Sequence, residues 1–402
     1  MNLDNKATLV ENYIQSKLID RDGIVLAMIN ELTGKPLNDK EIPDYMTFDN
    51  PGAPRNLWKA AFFSYEDSNM ATAEYMLANI YKYKVTKDKS ALIQAKKCYK
   101  AFQLIAQAGA KNCKGVVQPM LGFLPKPYGG AKTAHLSSEV SIDQYMRTMY
   151  SLLIYRDMLA NKNEIKWINE FLLACANCWS MNNYTFSYFG IICRWGIHSP
   201  HSVAFGLFCS ALGEYMGEKL HKNWFNIFMS RTDAFKKVMS GGEAGLINLS
   251  AKFLCKHKPE LTKQWHSYSK QCIKNGFKML DDKGHTVSPD FISCNKNNKP
   301  GWSKIPHRYW QFLSWHGDIR LPETQLAAAC VDYYELTGSD MFLPAAKNLM
   351  ALHMENGYAK WIQPHTKKDI PKGYELLANI VSGINTAAWL RAYWQLKYIG
   401  KL

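Results

Sequence analysis

Residues 136–158, LSSEVSIDQYMRTMYSLLIYRDM, combine a strongly apolar helix with charges at its start. Beyond Gln144, apolar and aromatic residues occupy nearly every helical position, which is typical of a helix enclosed on all sides. Buried helices usually exclude charge. Glu139 and Asp143 nevertheless stand in or before the first turn, and Arg147 follows one turn later. This segment predicts a buried helix whose N-terminal end, called its mouth below, contributes to a functional site.

The same arrangement returns along the chain. An apolar helix, a short polar turn and a more amphipathic helix follow one another in residues 74–106, 150–179, 203–229 and 324–353. Apolar residues recur at helical spacing, and strand signals are few. The turns fall near Lys87, Asn161, Gly217 and Gly338, and a weaker copy turns near Pro259. These units are predicted to be helical hairpins.

The two helices of each hairpin differ in polarity, which indicates two layers. The first helix is apolar all round and needs neighbours on every side, whereas the second has a polar face and suits an outer position. With residues 5–32 and the C-terminal segment, the chain holds about six hairpins at irregular spacing, unlike a regular solenoid. We therefore predict an all-α fold: one domain over residues 1–402, in which an inner ring of helices lies within an outer ring.

Composition narrows the function. A formal net charge of +15 favours anionic partners, but the lysines are spread along the chain, unlike a nucleic-acid footprint. No apolar run is long enough for a membrane helix. The N-terminus lacks the apolar core of a signal peptide. We expect no nucleic-acid or membrane partner, no cofactor and no metal, and a cytoplasmic location, or a periplasmic or secreted one if a leader was removed.

Polar and aromatic clusters precede the predicted inner helices. In a ring of hairpins the inner helices run the same way, so these clusters should line one funnel. Helix capping alone explains a Ser, Asp or Glu at a helix start. It does not explain histidines that flank Ser-Pro, or tryptophans beside arginines. Aromatic faces stack on sugars, and Arg and His hold carboxylates. The candidate substrate-binding residues are Asp67, His135, Tyr145, Arg194, Trp195, His198, His201, Glu243, Trp302, Tyr309, Trp310, Trp315, His316, Arg320 and Asn385.

The chain resembles the six-hairpin (α/α)6-toroid carbohydrate-active enzymes, which include unsaturated glucuronyl hydrolases, other uronic-acid glycosidases and toroidal polysaccharide lyases. The resemblance is carried by residues 65–76 (YEDSNMATAEYM), 137–155 (SSEVSIDQYMRTMYSLLIY) and 316–329 (HGDIRLPETQLAAA), and as a pattern it spans roughly residues 5–398. It implies an aspartate acid/base at the start of an inner helix, a place that Asp143 matches. The Trp-rich signature around the second aspartate of the glucuronyl hydrolases is not evident here.

The first functional hypothesis is a glycoside hydrolase acting on an acidic, uronate-bearing glycan. Paired carboxylates cleave glycosidic bonds. Asp143 or Glu139 would be the acid, and Asp318 or Glu66 the opposing carboxylate. If Arg147 pairs with Asp143 and keeps it ionised, Glu139 becomes the better acid.

Two alternatives stand beside it. In a polysaccharide lyase, Tyr145, Tyr309, His198 or His201 would abstract the proton next to the uronate carboxylate, and Asn385 would help to neutralise the enolate. In a non-enzymatic helical scaffold, an open concave face would bind the partner.

Overall fold

A computed structural model of the chain describes residues 1–41, 63–111, 121–188, 191–194, 199–236, 241–281, 283–287, 319–361, 363–364 and 375–402. The helices are α1 (Leu3–Tyr13), α2 (Ser68–Thr86), α3 (Lys89–Lys111), α4 (Ile142–Met158), α5 (Lys162–Met181), α6 (Pro200–Tyr215), α7 (His221–Met229), α8 (Gly241–His257), α9 (Thr262–Phe277), α10 (Thr324–Thr337), α11 (Leu343–Leu352), α12 (Glu375–Ala378) and α13 (Gly383–Tyr398). A π-helix, Ile14–Leu18, extends α1.

Among the described helices, α2, α4, α6, α8, α10 and α13 form a closed inner ring. Each packs on the next, and α13 packs on α2 to complete the circle. The second helix of each hairpin lies outside its partner, and α1 packs on α13 from outside, so the two chain ends form the sixth hairpin. The predicted all-α toroid of inner and outer helices is confirmed. A closed ring lacks the open concave face of a solenoid scaffold.

Local sequence explains where the hairpins turn. Lys87 and Gly338 end α2 and α10 in the left-handed conformation, with φ of 60° and 71°, a usual helix C-cap. Asn161 starts α5 with a complete capping box that includes Glu164. Pro200 occupies the first turn of α6, where its missing N–H is not needed. The turns that the sequence predicted are confirmed.

Short antiparallel strands join the ends of the helices. The strands are β1 (Met28–Asn30), β2 (Lys35–Pro36), β3 (Thr185–Tyr188), β4 (Ile191–Arg194), β5 (His285–Val287), β6 (Ile319–Pro322), β7 (Ala359–Lys360), β8 (Gln363–Pro364) and β9 (Ile380–Ser382). They form three sheets with the strand orders β2-β1-β9-β7, β3-β4 and β5-β6-β8.

The ring closes at the junction of β1 with the start of α13. The N–H of Gly383 donates to the carbonyl of Ala27 at 2.8 Å. A Cβ at Gly383 would lie 1.9 Å from the carbonyl oxygen of Leu26, so only glycine permits this approach. The contact brings the N-terminal segment against the mouth of the last inner helix.

Candidate functional site at the mouths of the inner helices

The first turns of the inner helices meet at one end of the ring. Side-chain hydrogen bonds join the mouths of neighbouring helices: Gln144 Nε2 to Glu66 O at 2.6 Å, His201 Nδ1 to Glu243 Oε1 at 3.0 Å, and Gln325 Nε2 to Asn385 Oδ1 at 3.1 Å. The structure therefore brings together residues that precede or begin all six inner helices. We call this set the funnel residues: Glu66, Asp67, Asp143, His201, Glu243, Gln325 and Asn385.

Three carboxylates cluster at the mouths of α2 and α4. Glu66 is buried and is bonded by Lys126 Nζ and by the Tyr128 hydroxyl, the latter at 2.7 Å. Asp143 is only partly buried and accepts from Ser141 Oγ and from the N–H of Gln144 at 2.9 Å. Asp67, also partly buried, feels the charges of both. Glu66 is thus an anchored, buried carboxylate, whereas Asp67 and Asp143 keep partial access to solvent.

Asp67 holds its proton unusually tightly. Its pKa is raised from 3.8 to about 7, first by burial and then by the negative charges of Glu66 and Asp143, while Lys126 and Arg147 act in the opposite direction. Carboxylic acids whose environment places their pKa near neutrality can donate a proton at physiological pH. The sequence placed Asp67 among the binding residues, and its raised pKa makes it a candidate for proton donation.

Glu139 does not line the funnel. It is fully buried, at 0% exposure, and lies close enough to Lys126 and Tyr128 to affect both electrostatically. The acid role that the sequence predicts for Glu139 stays a prediction, and its complete burial favours the more accessible Asp67 and Asp143 instead. Glu139 and Glu66 are both buried carboxylates whose charges act on Lys126.

Arg147 bonds to residues on other inner helices rather than pairing with Asp143. Its Nη1 bonds Glu74 on α2, and its Nη2 reaches Gln325 Oε1 on α10 at 2.8 Å and, at 3.4 Å, the carbonyl of Gly242 on α8. One buried guanidinium on α4 therefore bonds to α2, α8 and α10. It forms a polar floor beneath the mouths of the helices.

An ionic network continues below that floor. Glu74 also pairs with Arg391, whose Nη1 lies 2.9 Å from Asp332 Oδ2. Lys252 Nζ lies 3.1 Å from Asp332 Oδ1 and 2.5 Å from Glu335 Oε2. Burial alone would raise the pKa of Asp332, but Arg391 and Lys252 lower it. Sequence reasoning missed these residues because each looks like an isolated charge within an apolar helix.

His201 and Glu243 form a second titratable pair at the mouths of α6 and α8. Their side chains are 30% and 26% exposed. Because Nδ1 of His201 is engaged by Glu243, Nε2 is the ring nitrogen left for another partner. A carboxylate that orients an imidazole in this way is a common device for proton transfer.

Two other predicted site residues, Tyr145 and His135, do not belong to the funnel residues. Tyr145 is a core residue: its hydroxyl donates to Gly122 O at 2.8 Å and accepts from the N–H of Leu124 at 2.6 Å. The role as a base that the sequence suggests for Tyr145 stays a prediction, and these buried hydrogen bonds give the hydroxyl a structural task. His135 is exposed, in a 3-10 helix (Ala134–Leu136) that precedes α4, and bonds Lys132 O at 2.7 Å.

Several predictions fall on parts of the chain outside the description. Arg194 and Arg320 have backbone positions in β4 and β6, and their side chains are not described. The predictions for Trp195, His198, Trp302, Tyr309, Trp310, Trp315, His316 and Asp318 lie outside the described residues.

Within the described ranges, no group of three or more His, Cys, Asp and Glu side chains is placed to hold a metal ion. None of the described helices combines the length and apolar character needed to cross a membrane.

The fold is shared with carbohydrate-processing enzymes. Similar solved structures include a family 76 α-mannanase from Bacteroides thetaiotaomicron (TM-score 0.57, 10% identity, 100% of this chain and 97% of that chain). A cellobiose 2-epimerase from Bacillus thermoamylovorans is also similar (TM-score 0.55, 12% identity, 100% and 99%), as is a D-mannose isomerase (TM-score 0.53, 9% identity, 100% and 97%). No family model and no curated protein matches the sequence. At these identities the likeness establishes the six-hairpin toroid fold.

Proposed function

We propose that this protein is a glycoside hydrolase in which Asp67 donates the proton to the leaving oxygen and Asp143 is the opposing carboxylate. One observation carries the proposal: two partly buried aspartates lie at adjacent helix mouths, and burial together with the charges of Glu66 and Asp143 raises the pKa of Asp67 to about 7. Glycosidic cleavage needs a protonated acid and an ionised partner across the bond. The fold supports this reading, since a family 76 α-mannanase has it too.

Glu66 and Lys126 position the acid rather than react. The Lys126 ammonium and the Tyr128 hydroxyl hold the Glu66 carboxylate directly beside Asp67 in the sequence. That fixed negative charge helps to keep the proton on Asp67. The opposing role that the sequence suggested for Glu66 passes in this proposal to Asp143.

The class of sugar stays a prediction. Lys126 and Arg147, the two buried cations described near these helix mouths, already form ion pairs with Glu66 and Glu74. A uronate carboxylate would therefore depend on Arg194, His198, His201 and Arg320, as the sequence predicts. The similar proteins named above are, by their names, enzymes of mannan, cellobiose and mannose, so neutral glycans belong in the same test.

The test combines a substrate panel with two site variants and one control. Saturated and unsaturated uronides, α-mannan and β-glucan oligosaccharides are incubated with the protein, and new reducing ends and the absorbance of conjugated uronate are followed together. We expect reducing ends without rising absorbance, a loss of at least about 1000-fold in kcat for Asp67→Asn and Asp143→Asn, and no loss for Asp340→Asn, whose side chain is 66% exposed. Full activity of Asp67→Asn would overturn the proposal.

A lyase is the second candidate, and the His201–Glu243 pair favours it. Glu243 would orient the imidazole so that Nε2 abstracts the proton beside a uronate carboxylate. In that case absorbance rises together with reducing ends, His201→Gln abolishes both signals, and Asp67→Asn retains them.

A further inference from the structure

The amides of Gln325 and Asn385 are held in one orientation by a buried ion pair. An arginine can only donate hydrogen bonds, so the 2.8 Å contact with Arg147 Nη2 must use Oε1 of Gln325. The amide nitrogen of Gln325 is then the atom that faces Asn385 Oδ1 at 3.1 Å. Glu74 in turn anchors Arg147 from below. The charge of one ion pair therefore sets the direction of two neutral side chains.

This chain of bonds leaves a donor at the mouth of α13. Asn385 is 8% exposed, its backbone carbonyl accepts from Thr324 Oγ1 at 2.7 Å, and its N–H donates to Ser382 Oγ at 3.3 Å. Its Oδ1 is used by Gln325, whereas Nδ2 has no protein partner among the described residues and is not sealed from solvent. A donor that keeps access to solvent on a largely buried, fixed side chain is available to a ligand acceptor that replaces water.

The donor lies on the acid's side of the ring. Helix α13 packs directly on α2, and Asp67 immediately precedes α2. Arg147, which orients Gln325, also acts electrostatically on Asp67. The amide pair and the acid therefore border the same part of the funnel.

We propose that Asn385 and Gln325 form a donor subsite that binds an acceptor oxygen of the sugar next to Asp67, with Arg147 and Glu74 as the positioning pair. That the ligand is a sugar rests on the proposed function. The acceptor is a hydroxyl oxygen if the glycan is neutral and a carboxylate oxygen if it is a uronide. In both cases the subsite offers N–H groups and no acceptor.

Two single substitutions each replace the hydrogen-bond donor of the subsite by an acceptor, in different ways. Asn385→Asp replaces the donor itself. Gln325→Glu keeps a partner for Arg147 but removes the N–H that faces Asn385, so Asn385 should turn, donate to the new carboxylate and present Oδ1 to the ligand. Dissociation constants for the sugar panel are measured by saturation-transfer NMR, which needs no turnover. We expect both variants to weaken binding about tenfold for a neutral sugar and about 100-fold for a uronide.

A third substitution separates orientation from general damage. For a neutral sugar, Asn385→Ala should weaken binding about tenfold in the wild-type background and have almost no further effect in Gln325→Glu, because the donor there is already turned away. Asn163→Asp, on the exposed start of α5, is the control for added charge, and circular dichroism verifies the fold of every variant.

The outcomes distinguish this inference from the proposed function. Equal sugar binding by wild type, Asn385→Asp and Gln325→Glu overturns the donor subsite even if Asp67→Asn has lost activity. Absence of sugar binding by the wild type overturns it as well. Weakened binding in the variants supports the subsite even if Asp67→Asn keeps its activity, which would refute only the assignment of the acid.

Discussion

Replacing Asp67 by asparagine should stabilise the folded protein at alkaline pH while it removes activity. The pKa of Asp67 is raised from 3.8 to about 7, first by burial and then by Glu66 and Asp143. Between these values the folded state keeps a proton that the unfolded state has released, so the free energy of unfolding of the wild type falls as the pH rises. At 1.36 kcal/mol per pH unit, the loss reaches up to about 4 kcal/mol once the pH exceeds 7. Asparagine carries no charge to desolvate and escapes this loss.

Urea unfolding of wild type and Asp67→Asn, measured at about pH 5 and about pH 8.5, tests the reasoning. The advantage of the variant should grow by about 2–3 kcal/mol between the two conditions. Asp340→Asn, the exposed control, should follow the wild type at both. A stability difference that does not change with pH would show that Asp67 titrates normally. The argument for it as the acid would then fail.

Three further predictions concern the surroundings of the site. Lys126→Met should lower the free energy of unfolding by about 3–5 kcal/mol because it leaves buried carboxylates unpaired. It should also move the alkaline limb of the pH–activity profile to higher pH, since Lys126 lowers the pKa of Asp67. An unchanged melting temperature and an unchanged pH profile would contradict this prediction. Asp332→Asn should cost a similar amount, since Arg391 is fully buried beside it, which a denaturant titration measures. Burial raises the pKa of the Cys209 thiol to about 12, so iodoacetamide should label it only as fast as the protein unfolds, and rapid labelling of the native protein detected by mass spectrometry would be contrary evidence.

Much of the fold could be predicted because it depends on local pattern. All-round apolarity marks the inner helices, one polar face marks the outer ones, and the turns lie where Asn161, Gly217 and Gly338 favour them. The rule that inner helices run the same way then placed Asp67, Asp143, His201, Glu243 and Asn385 at one end of the ring. The His201–Glu243 and Gln325–Asn385 hydrogen bonds and the effect of the Asp143 charge on Asp67 agree with that expectation.

The roles within the site could not be predicted in the same way. Glu139 and Asp143 look equivalent in the sequence, yet one is sealed in the core and the other keeps partial access to solvent. Lys126 escaped notice, although a single lysine within the apolar run LPKPY at residues 124–128 was a usable signal. Its partner Glu66 is 60 positions away in the chain, and no local pattern encodes such a pairing.

The sequence by itself determined the architecture: helical hairpins, two layers, and polar residues at the mouths of buried helices. Periodicity and capping act over a few residues, so they can be read without coordinates. Only the tertiary structure decided which carboxylate keeps a proton, that Arg147 pairs with Glu74 instead of Asp143, and which way the Asn385 amide points. Those properties depend on burial and on charges from distant helices, and electrostatic interactions become strong only where folding has excluded water.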